Sequence, residues 1–176
     1  SILLPYKENF SPHYPGAVSL FVFETSNKSA YKKNITVFGS TEIKKKFPLK
    51  YIDIKLKKNL LKSQTKTYVE KFINLEKINK SSIIEIHNRP SYVNILVSKI
   101  KNRIITLYFH NDPLSMDGSK SIEDRKKLLK SGNKDQILEG IQKEVEKEKI
   151  KQMDLAPDDL VVISSYSPPL QKRLRE

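Results

Sequence analysis

The chain has 176 residues, room for about one domain with a sizeable core. It contains no cysteine, which excludes a disulfide framework and a cysteine-ligated zinc, and no apolar run reaches the ~18–20 residues needed to cross a bilayer. Lysine and arginine number 33 against 20 aspartates and glutamates, a formal charge of +13 that favours polyanionic neighbours such as nucleic acid, an anionic membrane surface or phosphorylated glycans.

The opening ILLPYKE is too short for a signal peptide, and Ile2 to Pro5 reads as the end of a first strand whose beginning is expected to be missing, since the chain starts without methionine. A loop follows to Pro15, and Gly16-Ala17 opens a helical pattern carried by Val18, Phe21 and Val22. Strand, glycine loop and helix is the arrangement in which free backbone N–H groups and the helix dipole attract phosphate, although one Pro-Gly pair is weak support by itself. Asn34 to Gly39 gives a second strand, and Lys44-Lys45-Lys46 reads as a solvated bend. In Tyr51 to Leu56, Tyr51, Asp53 and Lys55 alternate with Ile52, Ile54 and Leu56, as in an edge strand with one wet face. From about Asn59 to Lys80, Leu60, Leu61, Tyr68, Phe72, Ile73, Leu75 and Ile78 fit helical packing.

Ser81 to Pro113 is the centre of the chain. Ser82 to Ile86 and Ile104 to Phe109 are short, β-branched apolar runs of the kind buried in parallel sheets, and Tyr92, Ile95, Leu96 and Ile100 between them recur at helical spacing. Such a βαβ unit sends His87-Asn88-Arg89 and His110-Asn111-Asp112 to the carboxyl ends of neighbouring strands, where ligands of open α/β sheets bind. The plainer alternative is that strand ends are wet and tolerate polar residues. Two His-Asn pairs at equivalent positions, carrying the side chain most easily titrated near neutral pH, favour a site.

Beyond Phe109 a polar loop with Pro113 and Gly118 leads to Ser121, which has the position of an N-cap with Asp124 three residues on. Arg125, Lys126, Lys127 and Lys130 then mark a basic helix, either an anionic-membrane contact or an ordinary exposed face. Residues 132–158 read as an atypical helical insertion with no assignable motif. Asp159 to Ser165 reads as a last strand, and Ser167-Pro168 as a helix start.

IIEIHNRPSYV followed by ITLYFHNDPLSMDGSKSIEDRKKLL resembles the amino-terminal domain of glycosyltransferase family 4 enzymes, bacterial GT-B transferases that build lipopolysaccharide and other surface glycans. The similarity covers Ile2 to about Ser131 and about Asp159 to Glu176. It implies an α/β fold, a Rossmann-like three-layer α/β/α sandwich with a mainly parallel sheet, forming the acceptor-binding half of GT-B as one domain over 1–176. The carboxyl-terminal nucleotide-sugar domain, with its paired-glutamate motif, is expected to be absent and the fragment alone inactive. On this resemblance His110 would hydrogen-bond the donor sugar or reacting face, and Asp112 would orient the loop or an acceptor hydroxyl. His87, Asn88 and Arg89 would line the acceptor side, Asn111 would bind substrate, and Gly16 and Ala17, where the family commonly has Gly-Gly, would approach the donor diphosphate and the acceptor. Arg89 would meet a phosphate or carboxylate, or merely cap the crevice. The resemblance also implies no cofactor or metal beyond the nucleotide-sugar substrate, a glycan or lipid-linked acceptor, and a cytoplasmic place, peripheral on the inner face of the plasma membrane.

Rival readings fit less well. Three histidines spread over His13, His87 and His110 make a poor zinc set, and no G-x-G-x-x-G follows the first strand. A non-enzymatic basic module for nucleic acid or an anionic membrane fits the charge, without a recognised nucleic-acid motif.

Overall fold

The structure is a computed structural model and describes residues 1–56, 63–130 and 160–164. Among the described residues six strands form one parallel sheet: β1 (Ile2–Leu3), β2 (Val37–Gly39), β3 (Tyr51–Asp53), β4 (Ile83–His87), β5 (Ile104–Phe109) and β6 (Leu160–Ser164). Their order is β3-β2-β1-β4-β5-β6, that of doubly wound nucleotide-binding folds, with the chain reversing direction across the sheet between β1 and β4. Among the described residues the helices are α1 (Ala17–Lys28), α2 (Gln64–Asn79), α3 (Pro90–Lys99) and α4 (Ile122–Lys130).

Residue alternation explains the layers. In β1, Ile2 points into a core with Phe10, Phe47 and the α1 residues Val18 and Val22, while Leu3 points the other way. That second core gathers Tyr68, Val69, Phe72 and Ile73 of α2, Tyr92, Val93 and Leu96 of α3, and Leu128 of α4 against Phe38, Ile84, Ile86, Ile105, Leu107 and Phe109. A sheet apolar on both faces has to be covered on both, and the α/β/α sandwich follows. Each large apolar side chain so buried contributes about 1.5–3 kcal/mol.

Local signals set the helix ends. Pro90 occupies the first turn of α3, where its missing N–H costs nothing, and Ser63 caps α2 by accepting from Lys66 N. At α4, the Ser121 hydroxyl accepts from Asp124 N at 3.0 Å and an Asp124 carboxylate oxygen faces Ser121 N at 3.4 Å, the reciprocal cap that the sequence suggests.

Several expectations change. The second strand begins at Val37, because Lys32–Asn34 is a 3-10 turn. Lys46 is not freely solvated: its ammonium donates to Thr41 O at 2.6 Å and to Ile43 O, and burial pushes its pKa down. Tyr51 is not on a wet face, since its ring stacks on Phe10 at 5.3 Å and its hydroxyl donates to Thr41 Oγ1 at 2.9 Å. Ile78, placed in the helical packing set, is 80% exposed. Leu60, Leu61, the 132–158 segment and the Ser167-Pro168 helix start lie outside the described residues.

Candidate functional site

At the carboxyl ends of β4 and β5 the two histidines meet. His87 Nδ1 and His110 Nε2 are 2.8 Å apart, and the rings lie nearly parallel with centroids 5.1 Å apart. His87 is completely buried, whereas His110, bonded to it, is partly exposed. Tyr108, the cross-strand neighbour of His87, stacks on its imidazole at 4.9 Å, and Phe21 of α1 sets its ring edge-on to His110 at 4.6 Å. His110 is only partly buried, and that burial pushes its pKa down, favouring a neutral imidazole.

Asn88 holds this geometry. It adopts a left-handed backbone with φ of 52°, which asparagine tolerates better than most residues. From there its N–H donates to Tyr108 O at 2.8 Å, and its side-chain oxygen accepts from His110 N at 2.8 Å. The turn therefore ties the end of β4 to the residue after β5. Arg89 is exposed, with one guanidinium nitrogen donating to Asn88 O at 2.7 Å. It also lies beside Tyr92, whose hydroxyl pKa is raised by burial and partly restored by hydrogen bonding to Tyr6 and by the Arg89 charge.

Asn111 is exposed, and Asp112 caps a 3-10 turn over Pro113–Ser115 by accepting from Leu114 N at 2.9 Å. The loop then packs on α3: Gly118 has φ of 90°, and a Cβ there would lie 2.5 Å from Ser91 N. This closes the loop over the first turn of α3.

At the switch beside β1, Gly16 caps α1 and Ala17 is exposed in its first turn. The helix terminus is already occupied. Glu8 Oε1 accepts from Ser19 N at 3.1 Å, and a Cβ at Gly16 would fall 1.8 Å from that oxygen. The absent side chain of Gly16 thus makes room for an internal carboxylate, standing where an external phosphate would otherwise sit. Tyrosines brace the loop that carries Glu8: Tyr68 Oη donates to Leu4 O at 3.0 Å, and Tyr92 Oη accepts from Tyr6 N at 3.0 Å.

The basic helix divides. Arg125 donates to Ser119 O at 3.0 Å and Lys120 O at 2.9 Å, tying down the preceding loop, whereas Lys126 and Lys127 are exposed. The Lys130 side chain lies outside the described residues. Among the described residues, no cluster of three or more His, Cys, Asp or Glu is placed to hold a metal ion, and no helix is long and apolar enough to cross a membrane.

The structure brings His87, Asn88 and His110 into one bonded group and joins Phe21, Tyr108 and Glu85 to it. The alternation of β4 could have pointed to Glu85, two residues before His87 and hence on the same face. No local pattern in the sequence marks Glu8, and Phe21 shows there only as part of the apolar pattern of α1; both take their places through the tertiary fold. No family model matches the chain, nor does any curated protein or solved structure.

Proposed function

We propose that this chain is the amino-terminal, acceptor-binding domain of a GT-B glycosyltransferase of the family 4 type, serving the transfer of sugar from a nucleotide-sugar donor to a glycan or lipid-linked acceptor in surface-polysaccharide or lipopolysaccharide synthesis. The observation that carries the reading is the half-buried His110, backed by His87 and fixed through Asn88, at the carboxyl edge of a parallel sheet ordered β3-β2-β1-β4-β5-β6. Binding sites of open α/β sheets lie along that edge.

In this reading His110 hydrogen-bonds a sugar at the reacting face, Asp112 sets the loop that carries Asn111, and Arg89 stands at the crevice mouth to meet a phosphate or carboxylate. With Glu8 on the α1 terminus, the Gly16 loop meets sugar hydroxyls, and stabilisation of the departing diphosphate falls to a second, nucleotide-binding domain. The exposed Lys126 and Lys127 suit a peripheral place on an anionic membrane.

The test is backbone amide NMR of the chain titrated with a panel of glycans and lipid-linked oligosaccharides. Shifts centred on Arg89, His110 and Asn111 are expected, weakened by His110→Ala, with sugar transfer only once a nucleotide-sugar-binding domain is supplied. Transfer by the chain alone, or a silent panel, counts against the proposal.

A second reading, a basic module without enzymatic activity, draws on a cleft of about 210 Å³ at the opposite edge of the sheet, lined by Lys77, Lys80, Lys99, Lys101 and Arg103 together with Glu76 and Ile100. Polynucleotide binding that stays sequence-dependent at high salt would favour it over ordinary polycation behaviour.

A further inference from the structure

Alternation along β4 and β5 assigns residues to faces. Ile84 and Ile86 enter the core shared with α2 and α3, as do Ile105, Leu107 and Phe109. Glu85 and His87 therefore look to the other side, together with Thr106 and Tyr108, and the next residue on that face beyond β5 is His110. Three polar side chains line up there. Glu85 Oε2 lies 3.8 Å from His87 Nε2, and His87 Nδ1 lies 2.8 Å from His110 Nε2. Glu85 is 17% exposed, His87 is wholly buried and His110 is partly exposed, so the buried His87 links the carboxylate to a ring that solvent or a ligand can reach.

A hydrogen bond between two imidazoles needs one nitrogen with its proton and one without. With both rings neutral, each has a single N–H, and choosing one position fixes all four. Were the His87 proton on Nδ1, its bare Nε2 would turn a lone pair towards the Glu85 carboxylate, a repulsion weakly screened in a buried site. With the proton on Nε2, the carboxylate attracts it, Nδ1 becomes the acceptor, and His110 must donate from Nε2. His110 Nδ1 is then left bare, and it has no hydrogen-bond partner among the described residues. The lowered pKa of His110 agrees with a neutral ring.

We propose that Glu85 and His87 are positioning residues that fix the His110 tautomer, leaving Nδ1 as a hydrogen-bond acceptor for a hydroxyl group of the ligand. Tyr108 stacked on His87 and Phe21 edge-on to His110 hold both rings in the required planes. A bare imidazole nitrogen accepts from O–H and repels anionic oxygen, so the site next to His110 selects a polyhydroxylated ligand and rejects a phosphate at that position. The identity of the hydroxyl as a sugar's rests on the proposed function; the tautomer does not.

Long-range proton–nitrogen correlation of the histidine rings in the nitrogen-15-labelled chain near pH 7.5 is the test. The wild-type spectrum is expected to show a protonated Nε2 and a pyridine-type Nδ1 for His110. In Glu85→Gln, whose amide can face His87 with either its oxygen or its nitrogen, the two His110 nitrogens should move towards an average. Glycan affinity should fall about tenfold with the melting temperature little changed. Should Glu85→Gln not fold, Glu85→Asp, which withdraws the carboxylate by one methylene, carries the same comparison. A protonated Nδ1 or a charged ring in the wild type overturns the proposal, as does an unchanged His110 spectrum in the folded variant. A chain that shows the expected tautomer yet binds no glycan would refute the transferase reading and leave the proton ordering standing.

Discussion

Gly16→Ala isolates the role of Glu8. The backbone at Gly16, with φ of −72° and ψ of 155°, suits alanine as well as glycine, so no conformational strain is introduced. The new methyl would instead lie 1.8 Å from Glu8 Oε1 and 2.4 Å from the carboxyl carbon. Because the carboxylate ends a flexible side chain, it swings away, and the loss is its hydrogen bond to Ser19 N with the accompanying helix-dipole attraction. At a partly exposed position that amounts to about 1–2 kcal/mol, or a fall in Tm of roughly 3–6 °C for a chain of this size. Urea and thermal melts of wild type, Gly16→Ala, Glu8→Ala and the double variant form the assay. In the Glu8→Ala background the same substitution should be neutral, or stabilising by about 0.4–1 kcal/mol through the unfolded chain, so the two changes couple by most of the single-variant cost. Equal losses from Gly16→Ala in both backgrounds would refute the assignment of Glu8 to the helix terminus.

Gly118→Ala should be costlier, since φ of 90° disfavours a side chain and the clash is with the Ser91 backbone, which cannot swing aside. Backbone strain alone is worth about 1–3 kcal/mol, and a Tm within a degree of wild type would contradict the packing of this loop on α3. Ser121→Ala removes the α4 cap and should cost about 0.5–2 kcal/mol, measured by chemical denaturation; an unchanged midpoint would rule out the cap. Burial raises the Tyr51 pKa from 10.0 to about 12, so its stabilising share is complete below pH 10 and is lost as pH rises towards 12. Tyr51→Phe should flatten that alkaline decline. His110 has the opposite sense: its folded pKa lies below 6.5, so its share is complete above that value and is lost as pH falls below it. Denaturation of His110→Gln across pH 5 to 7.5 should show a shallower acid slope than wild type, and an identical slope would place the titration elsewhere.

The sequence by itself determined the parallel α/β class, because β-branched runs too short for helices alternate with amphipathic stretches, and a sheet buried on both faces leaves that signature. It also determined β5 to the residue, the Ser121 cap, and the arrival of both histidines at strand ends, since all three depend on neighbours a few positions away. Only the tertiary structure decided that His87 is buried against His110, because ring-to-ring contact depends on the register of β4 against β5 and on the left-handed turn at Asn88. The same holds for Glu8 on the α1 terminus, Lys46 folded onto backbone carbonyls and Tyr51 withdrawn from solvent. Each residue reads as an ordinary surface group in its own stretch of chain. Its role comes from a partner that local periodicity cannot place: a hydrogen bond or a stacked ring constrains positions in space, whereas hydrophobic patterning constrains only which face is buried.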